Sequence, residues 1–280
     1  TDKQEDVSQF PVEVSNKEEA KEGGTLEVAV VMDTQFAGLF QEEFYENNYD
    51  AQFMLPSHES IFVSDSNFET TENGLVKKDI DVEKKTIKLT ITKDAKWSDG
   101  EPVIAEDLIQ PYLIIAHPDY AGIRYGEDFT NVVGVEEYHD GKADSISGIK
   151  KIDDKSIEIT YKEMNPGMKQ TSETVWSSAM PSHIFKDMPV KGMESSPEVR
   201  KNPVTFGPYK MAKINQGESV EYVPNEHYYG EKPKLEKIIM RVAPSNSITE
   251  AMKAKKYDMV LSMPTDNYPS YKDIEGYEML

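Results

Sequence analysis

Five histidines, His58, His117, His139, His183 and His227, are the side chains best suited to ligate a metal or move a proton, and they lie scattered with no HExxH arrangement and no close pair. A zinc site would need the fold alone to bring them together. Asp79-Ile80-Asp81 and Asp153-Asp154 offer calcium-type carboxylates without the spacing, glycine and closing glutamate of an EF-hand, so they read as solvated strand-end charge. The patterns GxGxxG, GxxxxGK(S/T) and GxSxG do not occur, so no phosphate cradle or elbow serine is indicated. With 51 acidic residues, many pairs could fall at glycosidase distance, and abundance by itself argues nothing for acid/base catalysis. The chain has 0 cysteines, which removes disulfides, thiolate metal sites and cysteine nucleophiles together. No catalytic residue, metal or cofactor is therefore assigned. More informative are Phe44-Tyr45-Glu46-Asn47-Asn48-Tyr49 and the tyrosines Tyr120 and Tyr125, which put amphipathic rings and amides outside the regular strands. Such groups suit a ligand-lined cleft, with core or lid packing as the alternative for any one of them.

The elements that must position these residues follow from periodicity. The run from Thr25 to Met32 is a near-continuous strand signal, whereas Ile87, Leu89 and Ile91, and again Ile157, Ile159 and Tyr161, alternate with polar residues as half-buried antiparallel strands do. Between them, Leu108, Ile109, Leu113 and Ile115 give a helix over Ala105–Ala116 a broad apolar face, which Pro111 must kink or divide. Further strands are expected near Tyr209–Ile214, Ser219–Val223, Lys237–Val242 and Tyr257–Leu261, with a helix around Ser247–Lys255 capped by Ser245, Asn246 or Ser247. Residues 1–24 are polar and end in Gly23-Gly24, which indicates a flexible leader or, alternatively, a short edge strand near Phe10–Val14. The class is mixed α/β or α+β.

At 280 residues the chain allows one large domain or two smaller ones, and its net charge of −20 repels phosphate backbones and anionic headgroups. Nucleic acid is not an expected partner. No apolar run approaches a membrane span, and no secretory signal is visible.

Lys88–Leu108 reads KLTITKDAKWSDGEPVIAEDL: an alternating strand, the Lys93-Asp94 step, Ala95-Lys96-Trp97, the Ser98-Asp99-Gly100 turn, Pro102-Val103, and Ala105-x-Asp107 opening a helix. A second block runs Asn202-Pro203-Val204-Thr205-Phe206-Gly207-Pro208-Tyr209, followed by Gln216-Gly217-Glu218, Asn225-x-x-Tyr228-Tyr229 and Lys232-Pro233-Lys234. In order and spacing these blocks resemble the extracellular solute-binding proteins of family 5, the peptide- and nickel-binding receptors of ABC transporters. The strand Ile152–Tyr161 and the stretch Lys255-Lys256-Tyr257-Asp258-Met259 are similar to family segments too, so the likeness runs from about Thr25 to the end. Phe206 stands where Thr or Asn is usual, and the tryptophan expected before the first alternating strand is replaced within Leu75–Asp79.

The resemblance implies a mixed α/β, periplasmic-binding-protein-like fold of type II. Residues 25–52 with 165–261 would form an incomplete lobe one, 53–164 a smaller second lobe and 262–280 the start of a third, so that the chain resembles an N-terminal fragment. It implies a binding protein rather than an enzyme: a monomeric receptor that holds oligopeptides by their main chain, closes about a hinge and passes them to permease subunits. The ligand contacts would fall on Phe44, Tyr45, Glu46, Asn47, Asn48 and Tyr49, with Tyr120 and Tyr125 from the second lobe. The principal anchors of the peptide's amino terminus belong to the third lobe, so weak peptide binding is expected of these 280 residues alone. The receptor would sit on the extracellular face through a lipid anchor whose cysteine is absent from this sequence, with 1–24 as tether, or in the periplasm. Another cargo of the same family (a nickel complex, an oligosaccharide or a signalling peptide) and an extracellular glycan hydrolase are the competing readings.

Overall fold

The structure, a computed structural model, describes residues 10, 11, 13–164, 166–169 and 175–280. In chain order the elements are β1 (Thr25–Val31), α1 (Asn48–Met54), β2 (Val76–Asp81), β3 (Thr86–Ile91), α2 (Ala105–Ile115), α3 (Glu127–Thr130), α4 (Val135–His139), β4 (Ile149–Asp153), β5 (Ser156–Thr160), α5 (Ser182–Phe185), α6 (Pro197–Arg200), β6 (Tyr209–Asn215), β7 (Ser219–Pro224), β8 (Lys237–Ala243), α7 (Ile248–Lys253), β9 (Met259–Leu261) and α8 (Tyr268–Tyr271). They divide into two compact units. One comprises Thr1–Gly38, Met211–Pro224 and Lys232–Leu280; the other comprises Leu39–Lys210 and Asn225–Glu231.

The first unit is built on a five-stranded sheet of order β6-β7-β8-β1-β9. β1 runs parallel to β8, from Thr25↔Lys237 to Val31↔Ala243, and parallel to β9 on its other edge. A strand flanked on both sides by parallel partners is buried on both faces, which is why its sequence is a continuous apolar run rather than an alternation. Ile248 and Met252 of α7, with Tyr257 and Tyr271, cover Ala29, Val31 and Ala243. α7 forms at the expected place but without the expected cap. Ser247 makes no side-chain cap bond, and Ser245 instead donates through its amide and hydroxyl to Asp33 at 2.8 and 2.7 Å. Among the described leader residues the alternative strand near Phe10–Val14 is not formed; Phe10 stacks on Tyr268 with ring centroids 5.6 Å apart.

The second unit holds an antiparallel sheet of order β2-β3-β5-β4. Ile87, Leu89, Ile91, Ile157 and Ile159 present one face to Leu108, Tyr112 and Ile115 of α2, and Trp97, Val132 and Phe206 belong to the same core. One expectation does not hold, and another is narrowed. The stretch 152–161 is not one strand but most of the β4–β5 hairpin, because Asp153 turns the chain by accepting from Lys155 N at 2.9 Å and Ser156 Oγ at 2.7 Å. Pro111 does not divide α2, which runs unbroken from Ala105 to Ile115. A proline removes the amide that would bond the carbonyl four residues earlier. That carbonyl belongs to Asp107, and it accepts instead from Met180 N at 3.0 Å.

The two sequence blocks that carry the family resemblance meet in this unit. Trp97, 2% exposed, packs edge-on against Phe206 at 5.4 Å and donates its indole N–H to Asp107 Oδ2 at 2.8 Å. Asp107 also accepts from Ile104 N at 2.9 Å and from Ser182 N and Oγ at 2.8 and 2.6 Å. Burial raises this carboxyl's pKa above the ordinary range, against the pull of those four donors. Ser98 N donates to Thr205 O at 2.7 Å. Gly207 is required by close approach: a Cβ there would stand 2.3 Å from the carbonyl oxygen of Ser57.

Candidate functional site

The segment from Gln41 to Asp50 carries most of the residues expected to touch a ligand, and it is held by its own polar groups. Asn47 is the N-cap of α1, its side chain accepting from Tyr49 N and Asp50 N at 3.0 Å each. Asp50, fully buried, accepts from Leu39 N at 3.0 Å. His58 ties the segment further. Its Nε2 lies 2.9 Å from the Phe40 carbonyl and its Nδ1 2.9 Å from Ser57 Oγ, so the carbonyl fixes Nε2 as the protonated nitrogen. Burial pushes the ring's pKa down to about 4, which keeps it neutral.

The eight expected contact residues divide by environment. Phe44 is 2% exposed in a cluster with Ile114, Met180, Phe185 and Met193, so its ring is core packing. Glu46, Asn47, Asn48 and Tyr49 are exposed, Tyr49 at 39%, although Asn47 spends its side chain on the cap. Tyr120 joins the segment: its ring centroid lies 5.6 Å from that of Phe44, and its hydroxyl donates to the Glu43 carbonyl. Tyr125 does not, stacking instead on His139 with centroids 4.0 Å apart. The structure thus brings Tyr120 to 43–45 and leaves Tyr125 in a separate ring pair.

Four residues of this neighbourhood escaped the sequence reading. Arg124 donates Nη2 to the Tyr45 carbonyl at 2.9 Å and Nε to that of Glu42 at 3.4 Å, and its guanidinium lies 4.4 Å from the Tyr45 ring centroid and 6.0 Å from that of Trp176. Glu42 beside it has its pKa raised by burial, which the Arg124 charge partly opposes. Glu43 is fully buried, and desolvation together with the neighbouring Glu42 charge pushes it up to about 8, so at neutral pH it holds a proton. Among the described residues its Oε1 and the Trp176 Nε1 are both buried with no partner at full hydrogen-bond geometry. The only sequence signal for this group was the alternation of Tyr120, Gly122 and Arg124, which carries no family motif.

Behind the segment, Glu59 accepts from the hydroxyls of Tyr228 and Tyr229 at 2.7 and 2.6 Å, so the tyrosine pair of the Asn225–Tyr229 block is anchored by one carboxylate. The four remaining histidines have separate partners: His117 Nδ1 accepts from Asp119 N at 3.0 Å, His139 Nδ1 lies 3.0 Å from the Ala116 carbonyl, His183 Nε2 2.6 Å from Asp99 Oδ2 and His227 Nε2 3.8 Å from Glu226 Oε1. Among the described residues no three metal-type side chains converge. The neighbourhood offers an exposed edge of carboxylate, amide and phenol backed by a packed loop, an arrangement suited to holding a polar chain.

Comparison with known proteins matches residues 70–279 to the family model described as bacterial extracellular solute-binding proteins, family 5 middle. The oligopeptide-binding protein OppA of Lactococcus lactis subsp. lactis is 38% identical over 226 residues, covering 79% of this chain and 38% of that relative. AppA of Bacillus subtilis, also an oligopeptide-binding protein, is 25% identical over 191 residues, 68% of this chain and 32% of the relative. Among solved structures, lactococcal OppA, complexed with an endogenous peptide in the closed conformation, superposes with a TM-score of 0.88 at 35% identity, covering 91% of this chain and 48% of that one. Bacillus subtilis AppA in complex with a nonapeptide gives 0.73 at 18% identity over 92% of this chain and 47% of that one, a likeness of fold. The chain therefore spans 38% of the length of its lactococcal relative.

Proposed function

The chain belongs to the bacterial extracellular solute-binding proteins of family 5, and from that membership we propose that it is part of the receptor of an ABC importer that captures oligopeptides. Its mixed α/β architecture is periplasmic-binding-protein-like, as in the lactococcal structure, and the family consists of binding proteins rather than enzymes. The observation that carries the cargo assignment is the 38% identity to an oligopeptide-binding protein over 79% of this chain. The joined packing of Trp97, Asp107, Thr205 and Phe206 supports the family membership on which that assignment rests, since the signature residues form one buried node.

In this reading an extended peptide is held by main-chain hydrogen bonds, which pair whatever the side chains are, and a hinge then closes over it. The peptide leaves unchanged, handed to permease subunits, with no bond made or broken. Contact from this chain falls on the exposed edge Glu46, Asn48 and Tyr49, with Tyr120 supporting it from behind. Residues 25–52 with 165–261 are assigned to lobe one, 53–164 to the second lobe and 262–280 to the opening of a third. The receptor acts as a monomer outside the cell membrane, tethered through a lipid anchor or free in a periplasm. Mass spectrometry of small molecules co-purified with the full-length receptor tests the assignment. Peptides of varied sequence are expected; a nickel chelate or a sugar acid as the sole ligand would replace the cargo, and polysaccharide turnover would refute the receptor reading.

A further inference from the structure

Tyr120, Gly122 and Arg124 occupy alternate positions of one short segment, and the two side chains converge on the carbonyls of Glu42, Glu43 and Tyr45. These carbonyls are held by side chains about 80 positions downstream rather than by a helix or strand ladder of their own. Arg124 N also donates to the Tyr120 hydroxyl at 3.4 Å, so the two donors are tied to each other. Gly122 sits where a Cβ would lie 2.2 Å from the Tyr120 hydroxyl oxygen and 2.3 Å from the ring carbon bearing it. Any larger residue there pushes the ring off the Glu43 carbonyl.

We propose that Tyr120, Gly122 and Arg124 form a clamp that positions residues 42–49 for peptide capture, with Tyr120 and Arg124 as positioning residues and Gly122 as the space that lets them close. The inference rests on the reading of 46–49 as the contact edge. It also narrows that edge: the carbonyls taken by the clamp are withdrawn from a ligand, which leaves the exposed side chains Glu46, Asn48 and Tyr49 to meet the peptide. A guanidinium is required because its planar fork spans two carbonyls and lies over the Tyr45 ring at once, which a lysine ammonium cannot do.

The test is calorimetric titration of the full-length receptor with a pool of random-sequence hexapeptides. Arg124→Gln and Gly122→Ala are expected to weaken apparent affinity by about tenfold or more, the usual scale for losing charge-assisted or multiple hydrogen bonds. Tyr120→Phe, which removes only the hydroxyl, gives a smaller loss with the thermal midpoint of the free receptor nearly unchanged, and so keeps the test valid if another variant fails to fold. Arg124→Lys is expected to remain weak; full affinity with lysine would show that charge alone suffices and overturn the clamp. Lower thermal midpoints with unaltered affinity would overturn it as well, assigning these residues to stability only. The control Asn48→Ala with Tyr49→Ala separates the two layers. Loss of affinity there, but not in Arg124→Gln, sinks the clamp alone, whereas no loss there sinks the contact edge and the clamp with it.

Discussion

Glu43 is a buried acid whose pKa of about 8 makes it neutral at physiological pH. An unfolded chain would ionise it near the ordinary glutamate value, so between about 4.3 and 8 the folded state binds more protons than the unfolded one. Stability contributed at this position is therefore lost as pH rises through that window, by at most about 1.4 kcal/mol per pH unit. Glu43→Gln keeps the shape and abolishes the slope. Its unfolding midpoint is expected to match the parent near pH 5 and to exceed it progressively toward pH 8, measured by calorimetry at each pH; a constant difference across the range would contradict a buried neutral acid. This residue was not legible in advance, because in Gln41-Glu42-Glu43 the two glutamates look alike and only packing buries one of them fully. Phe44 was visible as an aromatic in an informative stretch, yet whether it faced core or ligand depended on Met180, Phe185 and Met193, far along the chain.

At the scale of elements, α2 shows a local rule overridden by a tertiary partner. A proline inside a helix usually costs about 3 kcal/mol, much of it from the orphaned carbonyl and the ring clash. Here Met180 N occupies the carbonyl of Asp107, so that part of the penalty is absent. Pro111→Ala is accordingly expected to alter stability by less than about 1 kcal/mol, because the restored amide must compete with Met180 for one acceptor. Denaturant titration reads this, and a gain near the full helix-interior value would show that the substitute bond contributes nothing. The alternating strands β3 and β5 and the continuous run of β1 were legible because their burial follows directly from residue period. β2 was not, since Val76-Lys77-Lys78-Asp79 reads as polar. Lys78 is half-buried all the same, its ammonium 5.6 Å from the Phe62 ring centroid. The β4–β5 turn was hidden because Asp153-Asp154-Lys155 resembles any charged stretch until the Asp153 side chain is seen to cap it.

For the molecule as a whole, the leader and the charge balance set what solution experiments will see. Residues 13–22 are exposed throughout, and Lys17 is 68% exposed at the side chain. Brief trypsin treatment is expected to cut first after Lys17 and Lys21, leaving a product whose thermal midpoint stays within about 2 °C of the parent, as loss of chain that buries little should. Protection of both sites would indicate a docked leader. The polar interior of 41–59 was not legible in advance, because buried carboxylates and histidines are indistinguishable from surface ones in a chain with 51 acidic residues. One feature of the topology bears on how the protein is made. Among the described residues β1 pairs with β8 and β9, which emerge from the ribosome roughly 200 residues later, on the order of ten seconds or more at ordinary translation speeds. Throughout that interval a newborn Val28–Val31 has neither neighbour, while the hairpins of residues 76–160 can already close by nearby pairing. Chaperone demand during synthesis should accordingly concentrate on the first apolar strand.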